Sequence, residues 1–357
     1  MHLRSIRLYN FRNHSERKLQ FSEQVNCIVG ENGSGKTNLL DAIYMLALTK
    51  SAVQKKDQLS IRHGEALMVV EGEFFKEEVE TINLSLKDGQ RKVLLTDGKA
   101  YEKLAQHIGK FPLVLIAPDD TDMIRDASDT RRKLFDSMMS QFDGDFLSAY
   151  QRYNRQLEQR NQLLKQFAER QYFDQKLLDS YSQSLVELAM EIAEKRTHFI
   201  AEIEPLVKMH YQEISGGKEV VGISYETEVG SDFPKVFRNA QRTDVAAQRT
   251  TLGIHKDDFS FLFDEKPFKK FGSQGQRKSF VLAMKLAHFE LLEKQKGFKP
   301  ILLLDDIFDK LDDARIAQLI AKIETKQFGQ IFISDARPER TAKFLSEVGV
   351  DVRFFEL

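Results

Sequence analysis

Gly30-Glu31-Asn32-Gly33-Ser34-Gly35-Lys36-Thr37 is the stretch that decides the fold, because it carries the spacing G-x-x-x-x-G-K-[ST] between a strand-like and a helix-like run. The run before it, V-N-C-I-V at 25–29, reads as a strand, and N-L-L-D-A-I-Y-M-L at 38–46 places apolar residues on one helical face. The glycines let the backbone wrap until several N–H groups converge on an anion, and the helix N-terminus adds its dipole. Lys36 can then reach the β- and γ-phosphates of ATP, and Thr37 can offer its hydroxyl to Mg²⁺. The cradle is expected to run from Gly30 through Asn38. A Rossmann turn fits poorly, since G-x-G-x-x-G is missing and the lysine would have no role in it.

At 357 residues the chain can bury two cores, and it has no apolar stretch of bilayer-spanning length. A first strand starting at residue 2 or 3 leaves no room for a signal peptide, and the single Cys27 excludes an internal disulfide framework. Both point to a reducing cytoplasm, with Cys27 as a small buried strand residue. With 53 Lys+Arg against 54 Asp+Glu the net charge is -1, so nucleic-acid binding would need a local basic patch.

In chain order, L-R-S-I-R-L-Y-N-F-R-N-H at 3–14 alternates like an edge strand. If it neighbours the strand at 25–29, Arg12 or Asn13 could reach the nucleotide; a turn Asn with an exposed Arg is the alternative. Residues 60–96 read as an antiparallel meander with Asp88-Gly89 as a tight turn, and 111–118 as a short buried run bounded by prolines. From about 129 the pattern becomes helical. Phe142, Phe146, Ala149, Tyr153, Leu157, Leu164 and Phe167 form one strip, and Leu178, Tyr181, Leu185, Leu188, Ile192, Phe199, Ile203 and Leu206 form a second. The strips can cover each other as a helical hairpin turning near 168–174, with Pro205 expected to bend or weaken the second helix. Then follow a strand at 220–228, a helix at 234–247, a strand and hairpin over 252–271, and a helix at 275–293. A doubly apolar central strand at 301–306, a crossover helix at 314–326, and strands at 330–334 and 352–355 complete the chain. The expectation is an α/β fold: a P-loop ATPase head with a mixed sheet, made from 1–120 and 215–357, with a helical arm inserted at 121–214.

I-L-L-L at 301–304, followed by Asp305 and Asp306, has the form of a Walker B segment. Asp305 can hold Mg²⁺, and Asp306 can orient or deprotonate the attacking water, although paired acids at a strand end also serve as solvated caps. In F-G-S-Q-G-Q-R-K-S at 271–279, Ser273 and Gly275 precede a helix whose first N–H groups lack internal partners. With one ATP already cradled by residues 30–37, this second anion site suits an ATP bound to another copy, or else Ser273 is a plain helix cap.

These segments resemble the RecF family of bacterial proteins, relatives of the SMC and ABC-type ATPases. The likeness runs over nearly all the chain: GENGSGKTNLLDAIYML, APDDTDMIRDASDTRRKLFD, LGIHKDDF, FGSQGQRKSFVLAMKLA and LLLDDIFDKLD. The resemblance implies that Lys36 and Thr37 bind phosphate and Mg²⁺, that Asp305 ligates the metal, and that Asp306 stands where other ABC-type proteins carry a catalytic Glu. It places Ser273 and Gly275 against a partner's γ-phosphate and Asp312 in the D-loop. Ile254 and Lys256 stand where the family has Pro and Arg. Ser334-Asp335 occupies the strand end where transport ATPases carry a phosphate-sensing His, a donor that an ionised Asp335 cannot replace, and Gln54 and Gln58 are the candidates for a glutamine loop. A slow ATPase fits the short Asp306 and the missing donor.

The function implied by the resemblance is ATP-dependent dimerisation on duplex or gapped DNA, cooperation with RecR and RecO in loading RecA, and a part in fork recovery and the SOS response. The candidate DNA contacts are Lys55, Lys56, Arg131, Arg132, Lys133, Arg152, Arg155 and Arg160, each of which could equally belong to a solvated face. An ATP-binding subunit of a membrane transporter and a bulk DNA organiser of SMC type are the competing readings. The short arm argues against the second, and the inserted hairpin against the first.

Overall fold

A computed structural model describes residues 1–217, 219–310, 313–345, 349 and 351–357. The chain starts with strands β1 (His2–Phe11), β2 (His14–Gln20) and β3 (Val25–Val29), and helix α1 (Lys36–Leu48) follows the glycine-rich turn. Strands β4 (Leu67–Phe75), β5 (Val79–Lys87), β6 (Val93–Thr96), β7 (Lys99–Ala100) and β8 (Leu113–Ile116) come next. The helical region comprises α2 (Ser128–Ser140), α3 (Gly144–Arg170) and α4 (Gln175–Ser215). After it come β9 (Val221–Glu226), α5 (Phe233–Asn239), α6 (Gln241–Ala247), β10 (Asp258–Phe263), β11 (Lys266–Pro267), α7 (Phe268–Phe271) and α8 (Gln274–Lys296). The chain closes with β12 (Ile301–Leu304), α9 (Ile307–Lys310), α10 (Asp313–Glu324), β13 (Ile331–Asp335), α11 (Pro338–Leu345) and β14 (Val352–Glu356).

Two compact units result, one of residues 1–121 and 281–357, the other of 122–280. The first holds two sheets. One is fully parallel in the order β14-β3-β13-β12-β8, and the other antiparallel in the order β2-β1-β4-β5-β6-β7. The edge position expected for the first strand is therefore corrected: β1 pairs on both sides, with β2 and β4, and the short β2 takes the edge. Helix α1 shares one apolar cluster with Leu3, Ile6 and Leu8 of the antiparallel sheet and Ile28, Leu303 and Phe332 of the parallel one. Covered on two sides, α1 is apolar nearly all round, which a single helical face did not anticipate. Cys27 is fully buried on β3, and burial pushes its thiol up to about 12.

In the second unit α3 and α4 form the expected antiparallel hairpin, each started by an aspartate cap: Asp143 accepts from Phe146 N at 2.8 Å and Asp174 from Leu177 N at 3.0 Å. Helix α4 continues past Pro205, because Ile203 and Val207, both fully buried, keep it packed on either side of the missing hydrogen bond. Residues 215–280, expected with the head, lie in this unit. Strand β9 packs on α4, and Phe259 of β10 stacks on Phe135 of α2 with ring centroids 4.3 Å apart.

Two imidazoles carry a pH dependence, His107 fully buried and His255 partly so. His107 Nε2 donates to Leu46 O at 2.6 Å while its Nδ1 faces Tyr101 Oη, and His255 Nδ1 pairs with Tyr153 Oη at 2.8 Å. Burial holds each near 4 rather than the usual 6.5. Between these values the unfolded chain binds protons that the native chain refuses, so stability is complete above about 6.5 and falls as pH drops toward about 4. The urea midpoint followed by circular dichroism from pH 7.5 to 4.5 should decline, and more shallowly in the double variant His107→Gln/His255→Gln.

Candidate nucleotide site

Strand β3 delivers the chain into the glycine-rich turn, and two positions there admit no side chain. At Gly35 (φ 108°) a Cβ would lie 2.5 Å from Asn13 Nδ2, and at Gly30 (φ 155°) 2.6 Å from Leu357 O. Lys36 is buried and donates from Nζ to Gly30 O at 2.9 Å and Glu31 O at 3.0 Å, curling over the loop it follows. Glu31, Asn32 and Gly33 are exposed at its tip. The turn between β1 and β2 braces the loop. Asn13 Nδ2 donates to Ser34 O at 3.0 Å, Asn38 Nδ2 to Asn13 Oδ1 at 2.8 Å, and His14 Nε2 to Gly35 O at 3.2 Å. Arg12 behaves differently from expectation. Its guanidinium is 9% exposed and bonded to Asp41 of α1 at 2.5 Å and to Ser51 at 3.0 Å, so it ties the Walker helix to the next loop and is not offered to a nucleotide.

Asp305 follows β12 and meets Thr37 across the sheet, with Thr37 Oγ1 donating to Asp305 Oδ1 at 3.1 Å. Burial raises the Asp305 carboxyl above the usual range, against the lowering effect of hydrogen bonds from Ser334 and Thr37 and the charge of Lys36. Ser334 is read from the sequence only as part of the Ser334-Asp335 strand end, not as a partner of Asp305. Its Oγ donates to Asp305 Oδ1 at 2.5 Å and accepts from Asp306 N at 2.9 Å, so one buried hydroxyl orients the Asp305 carboxyl and holds the backbone of Asp306. The signal was available in the strand register: Leu304 pairs with Ile333, which sets Asp305 beside Ser334. Asp306 takes a left-handed backbone (φ 45°), which reverses the chain directly after the strand. Asp335 is buried and ties the chain end of β13 to α11, accepting from Arg337 N at 3.2 Å and from Thr341 Oγ1.

In the other unit Ser273 and Gln276 form a reciprocal capping box at the start of α8. Gln276 N donates to Ser273 Oγ at 3.2 Å and Ser273 N to Gln276 Oε1 at 2.7 Å. Gly275, expected before the helix, lies inside its first turn. Asp312 lies outside the described residues. Gln58 donates from Nε2 to Gln90 O at 3.2 Å, and Gln54 N to Ser51 Oγ at 2.8 Å.

The candidate DNA cations separate sharply. Lys55, Lys56, Arg152 and Arg155 are exposed. Lys133 is exposed and pairs with Asp129 at 2.6 Å. Arg131 holds Asp258 with two bonds, at 2.9 and 2.7 Å, and Arg132 donates to Asp257 O at 2.5 Å, so both brace the loop before β10. Arg160 must be withdrawn as a DNA contact: it is 1% exposed, pairs with the fully buried Asp244 at 2.8 Å and lies over the Phe237 ring. Arg196, fully buried between Asp136 and Asp257, was passed over because it sits in a helical stretch read for its apolar residues.

The residues fit a magnesium nucleotide. Ser34 Oγ is buried beside the cradle with no hydrogen-bond partner, and Thr37 and Asp305 together present a hydroxyl and a carboxylate, hard oxygens of the kind Mg²⁺ takes. Among the described residues no cluster of three or more His, Cys, Asp or Glu could hold a metal.

Arg160→Ala should cost about 3–5 kcal/mol of stability, because Asp244 is left charged and buried without its partner. Urea unfolding measures the loss; wild-type stability would mean that Asp244 finds another partner.

The family model described as the RecF/RecN/SMC N terminal domain matches residues 2–353. The DNA replication and repair protein RecF of Flavobacterium johnsoniae is 46% identical over 359 residues, covering 100% of both chains. Its counterpart in Cytophaga hutchinsonii is 44% identical, covering 99% of this chain and 94% of that one. Among solved structures, the recombination mediator protein RecF-ATPrS in the RecFOR pathway superposes with a TM-score of 0.89 at 29% identity, over 100% of this chain and 96% of that one. The SMC head bound to the C-winged helix domain of ScpA, at 16% identity and a TM-score of 0.52 over 96% of this chain and 91% of that one, shares the fold alone. A P-loop facing a Walker B acid in a mixed α/β head with a helical arm, and full-length identity at this level, have one common meaning: the chain belongs to the RecF family, on the ABC-type ATPase fold.

Proposed function

We propose that this chain is an ATP-dependent DNA-binding protein of recombinational repair and replication-fork recovery, acting in the cytoplasm on the nucleoid. It dimerises with ATP on duplex or gapped DNA, helps RecR and RecO load RecA onto single strands, and leaves when ATP is slowly hydrolysed. The observation that carries the reading is the meeting of Thr37 and Asp305 at 3.1 Å beside the Lys36 cradle in a chain of this family.

Lys36 exchanges its two loop carbonyls for the β- and γ-phosphate oxygens, and Ser34 supplies its unpartnered hydroxyl. Thr37 and Asp305 hold Mg²⁺, which supplies charge neutralisation to the phosphates when bound. Asp306 takes the proton of the attacking water. With the short side chain of Asp306, and with Asp335 bonded to Arg337 N and Thr341 Oγ1 where a sensing His would stand, the site favours slow turnover. Ser273 and Gly275 of one copy close over the ATP of the other, so phosphate loss releases the pair.

Lys36→Met should lose ATP affinity and the dimer with it, whereas Asp306→Asn should bind ATP and accumulate as a dimer with turnover reduced by about 10²-fold or more. Single-turnover assays with sizing in parallel read both; wild-type hydrolysis by Asp306→Asn would move the base elsewhere.

Binding to duplex, single-stranded and gapped DNA, with and without ATP, tests the function directly. Affinity should appear with ATP and the dimer. Reversing Arg152 and Arg155, or Lys55 and Lys56, should reduce the slope of log affinity against log salt by about one for each phosphate that the variant no longer neutralises. DNA binding indifferent to ATP, or salt slopes unmoved in both variants, would overturn this assignment.

A further inference from the structure

The capping box at Ser273 does not end with Gln276. The Gln276 amide, whose Oε1 receives Ser273 N–H, donates from Nε2 to Glu219 Oε1 at 2.6 Å. The other oxygen of Glu219 accepts the Tyr211 hydroxyl at 2.6 Å, and Tyr211 is fully buried near the end of α4. A continuous chain of hydrogen bonds thus runs from the long arm helix through one carboxylate to the first turn of α8.

We propose that Glu219 is a positioning residue for the Ser273 turn, acting through Gln276 and anchored by Tyr211. An uncharged amide at the third helical position can turn either end toward the backbone. The carboxylate accepts only, so it draws Nε2 to itself and leaves Oε1 for Ser273 N–H. That choice fixes the turn on which the Ser273 hydroxyl stands, and it makes the end of α4 part of the same rigid element. For an anion-binding helix start the gain is preorganisation: the hydroxyl and the first N–H groups are held in place before the phosphate arrives. A helix needing only a cap would be served by Ser273 and Gln276 alone; Glu219 and Tyr211 go beyond it by fixing which way the Gln276 amide faces.

The inference rests on the reading of Ser273 as the group that closes over a second copy's ATP. Its test is dimerisation in ATP as a function of protein concentration, with monomer ATP affinity, turnover and thermal midpoint measured alongside. Glu219→Ala should shift the half-dimer concentration up about tenfold, the worth of one charge-assisted hydrogen bond. Turnover should fall below that concentration and return toward wild type at saturating protein, with ATP affinity of the monomer unchanged. Glu219→Gln keeps an acceptor for Gln276 and should shift the midpoint by about threefold, and Tyr211→Phe in the same direction. These two isosteric variants decide the matter if Glu219→Ala fails to fold. Wild-type dimerisation in the folded variants overturns the proposal, as does a loss of ATP affinity, turnover and thermal midpoint together that no protein concentration restores. Ser273→Arg is run beside them. If it dimerises and turns over like wild type, the composite-site reading fails. If it is blocked while the Glu219 and Tyr211 variants match wild type, only the positioning role of Glu219 is lost.

Discussion

The register of three parallel strands is the constraint on which the nucleotide site depends. Strand β13 lies between β3 and β12, pairing Ile333 with Cys27 on one side and with Leu304 on the other. All three strands are buried on both faces, so packing alone tolerates no slip. With that register the glycine-rich turn, Asp305 and Ser334 emerge at the same edge of the sheet. The same burial that enforces the register raises the Asp305 carboxyl, and Ser334 and Thr37 counter it with hydrogen bonds. The acid is therefore held in place by neighbours that its own strand position selects.

A second sheet makes the cradle rigid. The turn between β1 and β2 lies against Ser34, Gly35 and Asn38, and the packing of Asn13 and His14 there explains why Gly35 has no room for a side chain. Asp41 extends the connection. From the middle of α1 it accepts from Arg12, from Ser51 Oγ and from Ala52 N at 2.7 Å. The helix that begins at Lys36 thereby holds the base of the loop bearing Lys55 and Lys56.

In the other unit charge is used inward. Arg160 and Arg196 are fully buried, each satisfied by acids from distant parts of the chain, and Asp257 also receives Tyr225 and Thr227 hydroxyls. Buried ion pairs of this kind add little net stability over apolar packing, but each is severely destabilising to break, so they fix which loop meets which helix. Their consequence for function is subtraction: the exposed cations left for phosphate tracking are fewer than the count of Lys and Arg implies.

The sequence by itself determined the parts whose chemistry is local. The P-loop, its flanking strand and helix, the Walker B strand, the two long helices and their turn all follow from spacing and periodicity over short windows, since glycine conformations, caps and apolar stripes act between near neighbours. Only the tertiary structure decided what depends on partners far along the chain. Arg12 read as a nucleotide contact or an exposed turn residue, and it is neither once Asp41 and Ser51 are in place beside it. Arg160 read as a surface cation of a helix until Asp244, 84 residues away, closed over it. Ser334 was legible only as a strand-end residue beside Asp335, because its hold on Asp305 exists only once β13 lies beside β12. Short windows encode which element forms; a hydrogen bond or an ion pair between elements depends on which side chain the fold brings to within about 3 Å, and local pattern carries no record of that distance.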